Sequence, residues 1–178
     1  VHTFRLATPD DAEALLKIYE PYIATTVTNE TQVPALGEFR QRIVDRDGAY
    51  PYIVCEEDGR PVGYAYGSRL FSRAAYAWSA ELSVYFSTDH RGRGLGRAIY
   101  GKLFDLLALQ GVRTVVGKVV CPNEKSDHLH EKMGFELVGV EYNVKKGEDN
   151  ELVIYIDKEG GVDLDDCEKL SRAIDEPL

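Results

Sequence analysis

The sequence has few of the residues that stabilise small secreted domains and none of the long apolar runs of membrane spans. It contains three cysteines in 178 residues, an odd number placed far apart. Buried thiols in a reducing compartment are therefore expected instead of a disulfide framework. The first residues show no signal-peptide pattern, and no apolar run is long enough to cross a bilayer. These absences predict a cytoplasmic protein with no membrane partner.

Positive charge is also scarce. Lysine and arginine number 21 against 30 aspartates and glutamates, which gives a formal net charge of -9. Such a field argues against a general nucleic-acid-binding surface and suits an amine or other cationic substrate. The arginines at positions 91, 93 and 97 are a local exception to it.

Several nucleotide and metal motifs are missing. No Gly-Lys-Ser/Thr ends a glycine-rich loop, and no Gly-x-Gly-x-x-Gly is present, so the kinase and dehydrogenase readings are not supported. A metal enzyme would have to use Cys121, His128 and His130, but there is no Cys-x-x-Cys and no histidine pair at i and i+4. No metal is therefore expected.

One stretch is chemically distinctive. The apolar run 82–86 leads through Arg91-Gly92-Arg93-Gly94-Leu95-Gly96 into the helical pattern 98–109. Glycines at alternate positions allow a tight turn and a close approach of the backbone to a ligand. Because the following helix presents unpaired N–H groups and the positive end of its dipole, this strand, turn and helix predict a site for a phosphate or pyrophosphate.

The rest of the chain alternates short strands with amphipathic helices. Asp58-Gly59 is a hairpin signal between two strand-like runs. Thr8-Pro9 predicts a helix start, and Pro21 predicts the end of that helix. Strands are expected within 2–7, 52–55, 62–66, 79–86, 114–120, 135–140 and 152–156, and helices before Pro21, around Phe39 and Ile43, and within 98–109 and 124–133.

The glycine-rich turn resembles the Arg/Gln-x-x-Gly-x-Gly/Ala signature of the GCN5-related N-acetyltransferases (GNAT). A second segment, from Asn123 to Gly134-Phe135, resembles the helix motif of that family, and the two occur in the family's order. Leu129-His130-Glu131 and Glu81-x-Ser83-Val84-Tyr85 look like the subgroup of phosphinothricin and methionine sulfoximine acetyltransferases.

The resemblance implies an α+β protein with the GNAT fold, which has a mixed, mostly antiparallel sheet, helices on both faces and a splayed acyl-CoA groove. Residues 1–156 would form this domain, and 157–178 an acidic C-terminal tail. The family uses acetyl-CoA as co-substrate, and the resemblance also implies a homodimer. By its motifs, the cofactor-binding residues are expected to be Ser83, Val84, Tyr85, Arg91, Gly92, Arg93, Gly94, Leu95, Gly96, Asn123 and Ser126.

Two residues are candidates for proton transfer. An alkyl amine must attack a thioester as the free base, which costs roughly 3 to 4 kcal/mol at pH 7 for a pKa near 10. Glu81, on the strand that enters the glycine turn, is the first candidate for the general base. His130 would share that role or protonate the departing thiolate, because an imidazole titrates near neutrality. Which of the two is the base stays open.

The acceptor is predicted to be the primary amine of a small amino-acid-like molecule. Glu30 would meet its ammonium group, and Arg73 with the backbone of Ala74 and Ala75 would bind its carboxylate or phosphinyl group. The subgroup's Phe-Glu pair reads Asn29-Glu30 here, and its tryptophan in the turn before the last strand is missing from 145–150. A polyamine or protein N-terminal acetyltransferase, and a CoA-binding module without catalysis, remain the alternatives.

Overall fold

A computed structural model describes residues 1–25, 27–28, 30–120, 123–135, 137–143 and 151–156. It divides the chain into two compact units, Val1–Val115 and Val116–Leu178. The predicted tail 157–178 and the turn 144–150 lie outside the described residues.

The first unit opens with strand β1 (His2–Leu6), a short 3-10 turn (Pro9–Asp11) and helix α1 (Ala12–Ile23). The carboxylate of Asp11 accepts hydrogen bonds from the Thr8 N–H at 2.7 Å and from the Arg5 guanidinium at 2.6 and 2.7 Å. Asp11 is only 8% exposed, and these bonds satisfy its charge. They fasten the start of α1 to β1.

The prediction that Pro21 ends the first helix is wrong. The helix continues through Pro21 to Ile23. Proline removes one intrahelical N–H donor, but Ile18 and Tyr19 are buried in the preceding turn, and the Tyr22 hydroxyl bonds to the backbone of Phe86. Tertiary contacts therefore hold the last turn against its local preference.

Helix α2 (Leu36–Val44) turns Phe39 and Ile43 inward, as predicted. Together with α1 it covers a core rich in tyrosine, which the sequence patterns did not reveal. Tyr52 and Tyr64 stack at 5.6 Å between ring centroids, and Tyr85 meets Tyr64 at 5.3 Å. The members of this core cluster are Ala12, Leu15, Ile18, Tyr19, Phe39, Ile43, Tyr52, Val54 and Tyr64, with Tyr66 and Tyr85 packed against it.

Four antiparallel strands form the sheet of the first unit: β1, β2 (Tyr52–Glu57), β3 (Arg60–Arg69) and β4 (Ser79–Phe86). The predicted hairpin is confirmed, and its turn residues Asp58 and Gly59 have φ of 50° and 77°. Tyr64 faces α1 and α2. Gly67 faces the opposite side, where a Cβ built on it would lie 3.1 Å from Leu107 of helix α3 (Leu95–Leu109). Helices thus cover both faces of this sheet.

The second unit contains most of β5 (Thr114–Val120), helix α4 (Glu124–Lys132), β6 (Leu137–Asn143) and β7 (Glu151–Ile156). Strand β7 lies between β5 and β6 and runs antiparallel to both. The predicted order of elements is confirmed, and the fold class is α+β. None of the helices in the described ranges is long and apolar enough to span a membrane.

Candidate active site

The glycine-rich stretch forms the strand, turn and helix that its sequence predicts. Strand β4 ends at Phe86, a 3-10 turn covers Thr88–His90, and α3 begins at Leu95. Gly92 and Gly94 have φ of 72° and 78°, which L side chains rarely adopt. A Cβ built at either glycine would meet no atom within 4 Å. These glycines are therefore required by backbone conformation, and the space beside them is open to a ligand.

Helix α3 starts three residues earlier than its apolar pattern predicts, so Leu95 and Gly96 belong to its first turn. The N-cap residue is Gly94, which has no side chain to bond the N–H groups of that turn. An anion placed here would meet backbone donors and the positive end of the helix dipole. The start of α3 could therefore bind an anion.

Two arginines of the turn have contacts within the protein. The Arg91 guanidinium lies over the Tyr22 ring, 4.3 Å from its centroid, and Arg91 Nε is 3.4 Å from the Phe86 carbonyl oxygen. Arg93 Nη1 is 3.5 Å from Glu57 Oε1. Neighbouring residues thus position both guanidinium groups. The Arg93 side chain is still about half exposed.

Glu57, which the sequence patterns did not single out, lies beside the turn. His90 Nε2 is 2.8 Å from Glu57 Oε2, and His2 Nε2 is 3.0 Å from Glu57 Oε1. The hydrogen bond from His90 lowers the pKa of Glu57, with a further contribution from Arg93. The Ser87 hydroxyl also lies 2.7 Å from His90 Nδ1. Because His90 in turn contacts Glu57, these bonds attach the segment between β4 and the turn to the β2–β3 hairpin.

A shallow, open groove begins at the turn and follows one face of α3, which supplies its lining residues. Its volume is about 470 Å³, and its lining residues are Gly94, Arg97, Ala98, Gly101, Lys102 and Asp105. They recur at helical spacing on one face of α3, and the small residues leave room between the cations Arg97 and Lys102. Two cations and one carboxylate line the groove, so it carries a net positive charge beside the glycine-rich turn (91–96). The sequence patterns did not indicate Lys102.

Strand β4 carries four predicted site residues. In the ladder with β3, Glu81 pairs with Ser68, Ser83 with Tyr66, and Tyr85 with Tyr64, so these side chains share the face covered by α1 and α2. Glu81 is half-buried. Val84 lies on the opposite face.

The backbone direction of β4 follows from the same ladder. The Ser87 N–H donates to the Val62 carbonyl at 2.9 Å, in register with the pairs of β3 and β4. Bonded and non-bonded pairs alternate along an antiparallel ladder. The N–H and C=O groups of Phe86 and Val84 therefore point away from β3, towards the other edge of β4.

The predicted acceptor residues fall into two places. Glu30 Oε1 accepts a hydrogen bond from Arg42 Nη1 at 2.5 Å, and Arg42 also binds Glu38 at 2.5 Å. Burial lowers the pKa of Arg42, but hydrogen bonds to Glu38 and Glu30 raise it overall. The predicted carboxylate is thus paired with a cation of α2, a partner that the sequence did not indicate. Asn29 lies outside the described residues.

Arg73 caps a short 3-10 turn, Ala74–Tyr76, in the connection between β3 and β4. Arg73, Ala74 and Ala75 are all exposed. The turn is closed by a hydrogen bond from the Tyr76 N–H to the Arg73 carbonyl at 3.0 Å. Their exposure leaves these three residues accessible to a small molecule.

In the second unit, Asn123 begins α4 as predicted, and its side chain accepts a hydrogen bond from the Ser126 N–H at 3.4 Å. His130 lies one turn further and is only 3% exposed. Its Nδ1 donates to the Ser126 carbonyl at 2.8 Å, and its ring meets Phe135 edge-on at 4.9 Å. Burial lowers the pKa of His130, so the imidazole is neutral at pH 7.

Within the described residues, no group of three histidine, cysteine, aspartate or glutamate side chains is arranged to hold a metal ion.

Comparisons with known proteins agree with these motifs. Residues 4–152 match the acetyltransferase (GNAT) domain family. Phosphinothricin N-acetyltransferase of Streptomyces viridochromogenes is 36% identical over 139 residues, which are 76% of this chain and 74% of that protein. The L-methionine sulfoximine/L-methionine sulfone acetyltransferase of Salmonella typhimurium is 31% identical over 142 residues, 76% of this chain and 80% of that protein.

A solved structure is similar over the same region. The GNAT superfamily phosphinothricin acetyltransferase of Sinorhizobium meliloti, in complex with AcCoA, superimposes with a TM-score of 0.81 at 30% identity. The superposition covers 87% of this chain and 86% of that one.

Proposed function

Since the chain belongs to the GCN5-related N-acetyltransferase family, we propose that it transfers the acetyl group of acetyl-CoA to the primary amine of a small amino-acid-like substrate of the phosphinothricin or methionine sulfoximine type. The observation that carries this proposal is the glycine-rich turn 91–96, which we call the phosphate turn. Two of its glycines have positive φ and lie next to open space at the first turn of α3. The relatives at 36% and 31% identity support the subgroup.

The phosphate turn holds the pyrophosphate of acetyl-CoA. The backbone of Gly92, Gly94, Leu95 and Gly96 supplies N–H donors there, and Arg91 and Arg93 supply charge-assisted hydrogen bonds. The nucleotide part follows the α3 groove, where Arg97 and Lys102 attract its remaining phosphate. Asn123 and Ser126 are proposed as further cofactor contacts, to be tested by their own alanine variants.

The pantetheine arm pairs with the edge of β4 like an added strand. The backbone from Ser83 to Tyr85 contributes to this pairing, and within it only Val84 points its N–H away from β3. That N–H is therefore the donor that polarises the thioester carbonyl.

Glu81 removes the proton that the amine must lose. An acceptor amine with a pKa near 10 is protonated at pH 7, and its deprotonation costs roughly 4 kcal/mol. A carboxylate on β4, acting directly or through one water, takes up this proton as the nitrogen bonds to the acetyl carbon and the thiolate departs. His130 is the second candidate. Because its ring is only 3% exposed and packs against Phe135, it is less accessible for direct proton transfer than the half-buried Glu81.

The acceptor is held by groups of opposite charge at its two ends. Arg73, with the backbone of Ala74 and Ala75, binds the carboxylate or phosphinyl group, and Glu30 meets the ammonium. Since Glu30 is paired with Arg42, the acceptor ammonium must share that carboxylate. This arrangement favours a zwitterion over a simple cation.

A thiol-release assay tests the reaction. The protein is mixed with acetyl-CoA and phosphinothricin, methionine sulfoximine, methionine sulfone, polyamines or short peptides. Release with the amino-acid analogues alone is the expected result. Release with polyamines or peptides alone would refute the substrate class, and CoA binding without release for any amine would indicate a binding module.

The roles of Glu81 and His130 are tested with matched controls. Glu81→Gln should lower kcat by at least about tenfold without weakening CoA binding, whereas Glu13→Gln, at an exposed carboxylate of α1, should leave both unchanged. His130→Ala is compared with His128→Ala on the same helix, and the melting temperature is recorded because His130 is buried. Equal kcat for Glu81→Gln and the parent protein would remove Glu81 from the chemistry.

We also propose that the protein acts in the cytoplasm as a homodimer. Cys55 is a buried free thiol, and burial raises its pKa to about 11, which suits a reducing compartment. Light scattering that gives the mass of one chain would contradict the dimer.

A further inference from the structure

The hydroxyl of Tyr22 makes two hydrogen bonds to the backbone of a single residue. It donates to the Phe86 carbonyl oxygen at 2.6 Å and accepts from the Phe86 N–H at 2.9 Å. A hydroxyl can donate one hydrogen bond and accept others. The Tyr22 side chain therefore satisfies the same two backbone groups that a neighbouring strand would bond.

These bonds are on the side of β4 that faces away from β3. The Phe86 N–H and C=O point away from β3, as do those of Val84 two residues earlier. The hydroxyl at the C-terminal end of α1 thus lies in line with the edge of β4 to which, under the proposed function, the acyl-CoA arm bonds.

Phe86 lies between the two ends of that arm. The thioester end belongs beside Val84, and the pyrophosphate belongs at the turn 91–96. An arm that runs between them along β4 must pass the Phe86 backbone. Pantetheine contains two amides. Along one side of a strand, backbone groups that can bond a neighbour recur every second residue, about 7 Å apart. An arm that bonds through both amides therefore uses two successive positions of this kind. Val84 and Phe86 are those positions.

The Tyr22 ring is held on both sides. The Arg91 guanidinium lies over it at 4.3 Å, and the Tyr85 ring meets it edge-on at 5.0 Å between centroids. Arg91 Nε reaches the same Phe86 carbonyl. The tyrosine is therefore packed against the first arginine of the phosphate turn as well as against the strand.

We propose that Tyr22 is an acyl-CoA site residue that occupies the Phe86 bonding position in the free protein and yields it to a pantetheine amide when acyl-CoA binds. This inference rests on the proposed function. The Tyr22 hydroxyl opposes cofactor binding, because its two hydrogen bonds must be exchanged for those of the arm. The Tyr22 hydroxyl weakens the binding of the pantetheine part only, since the nucleotide part does not pass Phe86.

The variant Tyr22→Phe removes the hydroxyl and keeps the ring under Arg91. It should bind CoA about three- to tenfold more tightly than the parent protein, the equivalent of about one net hydrogen bond. Binding of adenosine 3′,5′-bisphosphate, which has no pantetheine, should be unchanged. Both affinities are measured by isothermal titration calorimetry. Tyr50→Phe, the same change in the segment before β2, should alter neither.

Hydrogen exchange of the Phe86 amide gives a second readout. In the free protein, exchange should be faster in Tyr22→Phe than in the parent; in the CoA complexes, the two rates should be equal. CoA binding that is unchanged or weaker in Tyr22→Phe overturns the inference. So does an equal change for CoA and the bisphosphate, which would show that Tyr22 acts through Arg91. A parent protein that binds neither ligand overturns the proposed function itself, and this inference with it.

Discussion

The contact between Gly117 and His130 allows a quantitative prediction about Gly117→Ala. A Cβ added to Gly117 would lie 2.6 Å from His130 Nε2 and 2.8 Å from Cδ2, closer than real Cβ atoms approach. The ring would have to retreat by about 0.8 Å to restore an ordinary contact of 3.4 Å. That movement acts on the 2.8 Å bond from His130 Nδ1 to the Ser126 carbonyl and on the packing against Phe135.

Overpacking of this kind costs about 1 to 3 kcal/mol. For a chain of this size, each kcal/mol lowers the melting temperature by about 2 to 4 °C. Gly117→Ala should therefore melt several degrees below the parent protein in thermal unfolding followed by circular dichroism. Gly101→Ala is the matched control, because a Cβ at this helical glycine meets nothing within 4 Å. It should raise stability by about 0.5 to 1 kcal/mol.

A double-mutant cycle identifies the cause. If the ring of His130 is the obstacle, Gly117→Ala should be less harmful in a His130→Ala background, with a coupling of at least about 0.5 kcal/mol. The same penalty with and without the ring would refute the reasoning, as would a Gly117→Ala protein as stable as the parent.

Two other predictions concern charge and backbone conformation. The hydrogen bond from Arg5 holds the pKa of Asp11 below its usual value, so the stability from the ionised carboxylate is present above about pH 4 and is lost as the pH falls through the lower folded-state pKa. In urea unfolding, Asp11→Asn should thus be less stable than the parent protein at pH 7, and the difference in unfolding free energy should narrow towards pH 2. A constant difference, or the same behaviour in the exposed control Asp10→Asn, would contradict this origin. Gly94→Ala places a side chain at φ 78°, a strain of about 1 to 2 kcal/mol, and should weaken CoA binding several-fold in calorimetry. The control Gly37→Ala should not weaken it. Equal CoA affinity for the parent protein and both variants would mean that the turn does not need this conformation.

The sequence predicts the elements of this fold well where local patterns decide them. The Asp58-Gly59 hairpin, the strand before the phosphate turn and the Asn123 cap of α4 all have local signals, and all are observed. The end of α1 and the start of α3 differ from the positions that the sequence patterns predict. Packing of the last turn carries α1 past Pro21, and the glycine-rich first turn of α3 has no apolar pattern to mark it.

The candidate site was predicted less completely because much of it depends on pairs that are distant in sequence. Nothing local indicates that Arg42 binds Glu30, that Glu57 meets Arg93, or that the Tyr22 hydroxyl reaches Phe86 across 64 residues. Residue types and spacing predicted the strand, glycine-rich turn and helix, whereas three-dimensional packing determines which charges of the turn are already paired.

Under the proposed function, the absence of a capping side chain at the start of α3 couples the folded fraction of the protein to the concentration of its cofactor. Gly94 has no side chain to cap the helix. Under the proposed function a bound pyrophosphate would take the place of that cap, and a ligand that binds only the native state shifts the folding equilibrium. At a ligand concentration one hundred times Kd, this shift is about 2.7 kcal/mol. The cellular concentration of CoA thioesters would then set how much of the enzyme is folded and protected from proteolysis, as well as how fast it turns over.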